Sequence, residues 1–344
     1  MKICCSLLCL LLLAGSQLHA QNDAGAYMTS ISNAHADMQK TYMTYISAAA
    51  HGRREKKVEK LRQQTLESIT QSRYNVIGLP LYNGDNSLRQ GSIDFIQFCY
   101  KIFNEDYAHI VNMEEIAEQS VDQMQAYLLL QEKTDEKLKE ANEARSNIEK
   151  AFAAKYHVNL VESKDELSEK MEASSKLNRY SNEVFIVFFK ANWEDNQLTQ
   201  ALNNKKLNEA EQAKNALLKF ATDGLKELEA DSLRSFQHDP SLANACKEAL
   251  RFYQKMAAND VPKLMDYYLK EENFAKIKKA MEAKPDRTKE DVAEYNKAVK
   301  EMNAGVDNFN KTNQALNATR TQALQTWSNT EKEFKDLHTP YYKK

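Results

Sequence analysis

The chain has 344 residues, of which only 8 are Gly and 5 Pro; 28% are charged, with 47 Lys and Arg against 49 Asp and Glu, a formal net charge of −2. Average usage would put Gly plus Pro near about 12% of a chain. So few turn formers exclude a sheet-rich fold and the glycine-rich phosphate loops of α/β nucleotide folds, and so even a charge balance argues against nucleic-acid binding.

In chain order, residues 1–20 read as a secretory signal peptide. Lys2 is followed by the apolar run Ile3 to Leu13, and Ser16-Gln17-Leu18-His19-Ala20 ends in a small residue. Cleavage is expected after Ala20. The residue before Cys9 is Leu8, which does not suit a lipoprotein signal, so the leader reads as the ordinary cleaved type. Three of the five cysteines leave with it, and Cys99 and Cys246, each on an apolar helix face, read as small buried hydrophobes, with a Cys99–Cys246 bridge as the alternative. The longest other apolar run, Val184 to Phe189, is far short of the roughly 18 residues of a membrane span.

Breakers then divide the chain at Gly78-Leu79-Pro80 with Asn83-Gly84-Asp85, at His157 to Ser163, at His238-Asp239-Pro240-Ser241, and at Lys284-Pro285-Asp286-Arg287-Thr288. Between them lies helical sequence. Leu242, Ala245, Cys246, Ala249, Leu250, Tyr253 and Met256 follow the spacing of an amphipathic helix. Val292, Tyr295, Val299, Met302, Val306, Phe309, Asn313, Leu316, Arg320 and Trp327 form a narrower, coiled-coil-like seam with two polar residues in it. Asn313 is a candidate for fixing register there, or it is a solvated position.

A faint internal repeat links the two halves. A shift of 154 residues pairs Asp85 with Asp239, Ser87 with Ser241, Leu88 with Leu242, Phe98 with Phe252, Lys101 with Lys255 and Asp106 with Asp260. The expectation is therefore an all-α fold of elongated helical bundles in two related halves, 21–157 and 164–337, joined by a linker at 158–163 and ending in a tail at 338–344.

Chemistry is harder to find. Asp106-x-x-His109 occurs once, where a carboxylate-bridged metal centre needs Glu-x-x-His twice, and two distant cysteines cannot hold structural zinc. No nucleophile elbow or phosphate loop is present. No catalytic, cofactor-binding or metal-binding residue is assigned, and no enzyme is expected. One candidate interaction patch remains. Arg53, Lys56, Lys57 and Lys60, next to His51, form a basic stripe, and Glu114, Glu118 and Asp122 an acidic one. They form either a polar site between two helices or a basic face for an anionic lipid or polysaccharide, or else two solvated faces. The rings of Tyr180, Phe185, Phe188, Phe189 and Trp193 fit a core better than a pocket, though they motivate a second reading, a carrier with a small or lipidic ligand between helices.

The stretch Tyr42 to Arg62, with Ser47-Ala48-Ala49-Ala50-His51-Gly52 and Lys57-Val58-Glu59-Lys60, resembles a family of exported, all-helical bacterial surface proteins and lipoproteins. So do Met113 to Asp122 with Met124-Gln125-Ala126-Tyr127, and the later Tyr295-Asn296, Asn303, Phe309-Asn310 and Asn313. The resemblance implies export to the periplasm or outer surface of a Gram-negative bacterium and carries no activity or catalytic residue with it. The leading expectation is a non-enzymatic envelope or surface protein, an interaction or structural scaffold, whose partner is an envelope protein or polymer.

Overall fold

The computed structural model describes residues 23–51, 55–106, 116–160 and 166–342. The signal peptide expected at 1–20 lies outside them, as do Arg53 and Glu114 of the candidate patch. The described residues form helices joined by turns, an all-α fold: α1 (Ala24–Ala50), α2 (Glu55–Ile77), α3 (Ser87–Lys101), α4 (Val121–Lys155), α5 (Glu166–Asn203), α6 (Leu207–Glu227), the short α7 (Asp231–Arg234), α8 (Ser241–Lys255), α9 (Val261–Ala283) and α10 (Lys289–His338). Two π segments, Ile102–Asp106 and Met256–Asp260, continue α3 and α8. No helix among the described residues is long and apolar enough to cross a membrane.

The helix ends follow from local chemistry. Asp23 Oδ1 accepts the Gly25 N–H at 2.8 Å at the start of α1. Thr288 and Asp291 bond reciprocally, Thr288 N–H to Asp291 Oδ2 at 2.9 Å and Asp291 N–H to Thr288 Oγ1 at 3.1 Å, a capping box that opens α10. α4 ends with His157 in the left-handed region (φ 57°) and the Val158 N–H on the Ala153 carbonyl at 2.8 Å. α5 ends the same way, with Lys205 at φ 54° and the Lys206 N–H on Ala201 at 2.9 Å.

The chain divides into two compact units. The first comprises α1 to α4 but for residues 120–122, the opening of α5 to Lys176, and 338–342; the second takes up 120–122 and Leu177–Leu337. The boundary thus falls inside α5 and not at the expected linker, 158–163. The reason is packing: Val158 closes the first unit's aromatic core around Phe152, whereas α5 feeds the second core only from Leu177 onward, with Tyr180, Val184, Val187 and Phe188. A helix break is not a break in the core.

The first unit is built around Met38, Leu66, Ile69, Val76, Ile96 and Phe103, with a second cluster of Ile31, Tyr82, Leu88 and Phe152. The second holds one larger cluster, which includes Leu217, Leu242, Leu250, Tyr253, Leu316, Trp327 and Phe334. Cys246 is buried there as a free thiol, and Cys99 of the first unit is half-buried and also free. Burial pushes the Cys99 thiol up to about 12 and raises that of Cys246 as well.

The sequence repeat is a structural repeat. Tyr82 and Asp85 exchange backbone hydrogen bonds (3.2 and 2.8 Å) across a tight turn, and so do Phe236 and Asp239 (3.0 and 2.8 Å). Asn83 and Gly84 take positive φ in the first turn; Gln237 and His238 do so in the second. In each copy an Asp oxygen then accepts the amide of a Ser two residues on at 2.8 Å, Asp85 for Ser87 and Asp239 for Ser241, and an Asx-turn launches the next helix. Leu88 and Leu242 are both buried. The ring of Tyr82 meets Phe152 edge-on at 5.4 Å, and that of Phe236 meets Phe334 edge-on at 6.0 Å. Finally the Tyr27 hydroxyl donates to the Pro80 carbonyl at 2.9 Å, while that of Tyr180 donates to Leu233 at 3.2 Å.

Candidate functional site

A cleft lies beside each of the two π segments. In a π turn one residue more than the α repeat occupies the turn, so the backbone widens and the helix surface is indented. The Ile102 N–H is shared between the Phe98 and Cys99 carbonyls, and the Met256 N–H between Phe252 and Tyr253. Beside the first lies an open cleft of about 440 Å³ lined by Asp94, Gln97, Phe98, Tyr100, Lys101 and Glu105. Beside the second lies one of about 370 Å³, where Phe252, Lys255, Met256 and Asp260 face Lys311, Thr312, Ala315, Leu316 and Thr319 of α10. Each cleft therefore carries a Phe and, three residues on, a Lys, at positions that the repeat pairs. Asp106 would be the partner of Asp260; of its side chain nothing is described.

Beneath the second cleft is a buried ionic group. Asp195 on α5, 1% exposed, accepts both forks of Arg320 from α10, from Nε at 2.7 Å and Nη2 at 2.9 Å. Arg320 also donates to Asn317 at 2.7 Å and reaches Met256 Sδ at 3.4 Å. The Tyr253 hydroxyl donates to Asn192 at 2.9 Å nearby. Burial lifts the Asp195 carboxyl above the usual carboxylate value, and Arg320 pulls it part of the way back. Of the two polar residues in the α10 seam, Arg320 is thus the one bound to another helix. Asn313 is half-buried and accepts only from Asn317 of its own helix, at 3.4 Å.

The first unit has a buried polar group of its own. His35 is 3% exposed, sits edge-on to Phe95 at 5.6 Å, and has Nδ1 3.5 Å from Arg145 Nη1. Arg145 lies over the Phe95 ring and is ion-paired to Glu149. Burial and then the Arg145 charge hold the imidazole neutral, its pKa lowered to about 3.

Of the candidate patch, His51, Lys56, Lys57, Lys60, Glu118 and Asp122 fall within the described residues. Lys56, Lys57 and Lys60 are exposed on the first turns of α2, and Glu118 is exposed before α4. Asp122 is exposed too but belongs to the second compact unit. His51 has another engagement: its ring lies flat on that of Tyr341, centroids 3.7 Å apart and planes 7° from parallel. The same tail is held by the Tyr342 N–H on Ser47 Oγ at 3.2 Å and by Lys170 Nζ on the Tyr341 carbonyl at 3.0 Å. Residues 338–342 are therefore a docked segment. The Asp195–Arg320 and His35–Arg145 contacts span 125 and 110 residues of sequence and leave no local signal. The clefts did leave one, since Phe98/Phe252 and Lys101/Lys255 are identities of the repeat. Among the described residues no group of three or more His, Cys, Asp or Glu is placed to hold a metal ion.

Comparison with known proteins gives no match to a family model, to a curated protein or to a solved structure.

Proposed function

We propose that this chain is an exported, non-enzymatic interaction scaffold of a Gram-negative envelope, held in the periplasm or on the outer surface. The observation that carries this reading is the repeated cleft: two units with different cores offer the same Phe and Lys beside the same π turn. Phe252 packs partly against the second core, so it is the exposed Lys kept beside the Phe in both units, Lys101 and Lys255, that calls for a reason outside the core. The buried charges support the reading, because both are spent on structure, Asp195 on Arg320 and Arg145 on Glu149. The rings that motivated a carrier also favour the scaffold. Phe188 stacks on Trp327 at 4.3 Å, and Tyr180 lies tilted against Phe334 at 5.7 Å, within the second core.

Two measurements test the proposal. N-terminal sequencing of the chain recovered from fractionated cells should begin at Gln21, with the protein in the envelope fraction. Native mass spectrometry of that material should give the bare chain or its multiples. A further mass released on denaturation would favour the carrier, and recovery in the cytosol with an intact N-terminus would overturn the envelope reading.

A further inference from the structure

We infer that the two clefts are saccharide-binding sites, each taking one uncharged sugar ring of a repetitive glycan. This deepens the scaffold reading and rests on it, naming the polymer as the partner. The argument starts from what the clefts share and where they differ. Both present a half-buried phenyl ring, Phe98 or Phe252, with an exposed ammonium group one turn further along the same helix, Lys101 or Lys255. Their remaining charges are opposite. Among the described residues Asp94 and Glu105 outweigh Lys101 in the first cleft, while Lys255 and Lys311 outweigh Asp260 in the second.

A ligand with a net charge of either sign would be drawn to one cleft and repelled by the other, since potential complementarity governs encounter and discrimination. A common ligand must therefore be recognised without net charge. A sugar ring meets the condition. Its C–H face covers a phenyl ring, and its hydroxyls both donate and accept. They can donate to Glu105 in one cleft and to Asp260 in the other, and accept from the lysine in both. Tyr100 in the first cleft, and Thr312 with Thr319 in the second, add hydroxyls of their own. Neither cleft is enclosed, which suits one unit of a longer chain better than a small molecule that must be largely buried to bind. An acidic peptide is the competing occupant and is disfavoured by Asp94 and Glu105.

The test is a saturation-transfer NMR titration of the full mature chain with four probes: cellohexaose, maltohexaose, chitohexaose and, as the anionic control, hexagalacturonate. At least one neutral hexamer should give signal. Lys101→Ala and Lys255→Ala, at exposed positions, should each remove about half of it, and the double variant should weaken binding at least tenfold. Absence of signal from all three neutral probes at about 10 mM, where dissociation constants in the millimolar range register, overturns the proposal. Preference for hexagalacturonate, or a signal unchanged in the double variant, overturns it too. The same proteins are cosedimented with isolated envelopes. A double variant that still attaches sinks the glycan sites and leaves the scaffold standing, whereas a wild-type chain that fails to attach sinks the scaffold.

Discussion

His35 ties one side chain to the pH dependence of the whole first unit. In the unfolded chain its imidazole takes up a proton below about 6.5, while in the folded state it stays neutral until about 3. Stability present above pH 6.5 is therefore lost progressively as pH falls toward 3, by a few kcal/mol at most. His35→Phe should flatten that part of the urea-midpoint profile; a variant with the wild-type slope between pH 6.5 and 4 would show that other groups carry it. The Asp195–Arg320 pair makes a different prediction. Removing one partner strands the other, so Asp195→Leu or Arg320→Met should cost about 3–5 kcal/mol, and the double variant should recover most of it. Complete additivity in chemical denaturation would refute a coupled pair. Arg320 is conspicuous in the sequence as a charge in an apolar seam, but its partner is not, because pairing across 125 residues is decided by tertiary packing.

Turns are the elements where sequence and strain can be compared directly, since the chain makes the same turn twice. Asn83-Gly84 suits a pair of positive φ angles, whereas Gln237 and His238 adopt φ 49° and 70° with side chains that disfavour them. Replacing Gln237-His238 by Asn-Gly should stabilise the second unit by about 1–2 kcal/mol, read as a rise in its thermal midpoint; an unchanged midpoint would mean that the backbone there is unstrained. Close approach sets a glycine in α6. A Cβ on Gly224 would stand 2.7 Å from Val187 and 3.0 Å from Leu250. Gly224→Ala should thus destabilise, by about 1–2 kcal/mol, despite the roughly 1 kcal/mol gained in helix propensity. Breakers made the helix boundaries near Gly84, Pro240 and Pro285 legible, because Gly and Pro act on their own backbone. The π turns were not legible: no residue type encodes one extra residue in a turn.

At the scale of the molecule, the two units can be watched separately. Both tryptophans, Trp193 and Trp327, belong to the second, so their fluorescence follows that unit while far-UV circular dichroism follows both. Asp85 Oδ1 caps α3 through Ser87, and Oδ2 accepts from Lys155 at 2.7 Å and Tyr156 at 3.0 Å. Those contacts hold its carboxyl well below the usual range. Asp85→Ala should lower the first unit's dichroism transition, by about 1–2 kcal/mol, and leave the tryptophan transition in place. Coincident shifts in both signals would show one cooperative body. The helical class and the likeness of the two turns could be read from the sequence, since periodicity and the paired Asp-x-Ser turns are local. The boundary inside α5 could not, because it is set by which core a continuous helix faces.

The π turns also act as place markers. One surplus residue sits after Lys101 and again after Lys255, in stretches whose other side chains mostly differ between the two halves. A deletion that restored the plain α repeat at either point would turn every later side chain of that helix by about 100°, so the surplus residue sets which face the continuing helix shows to its own core.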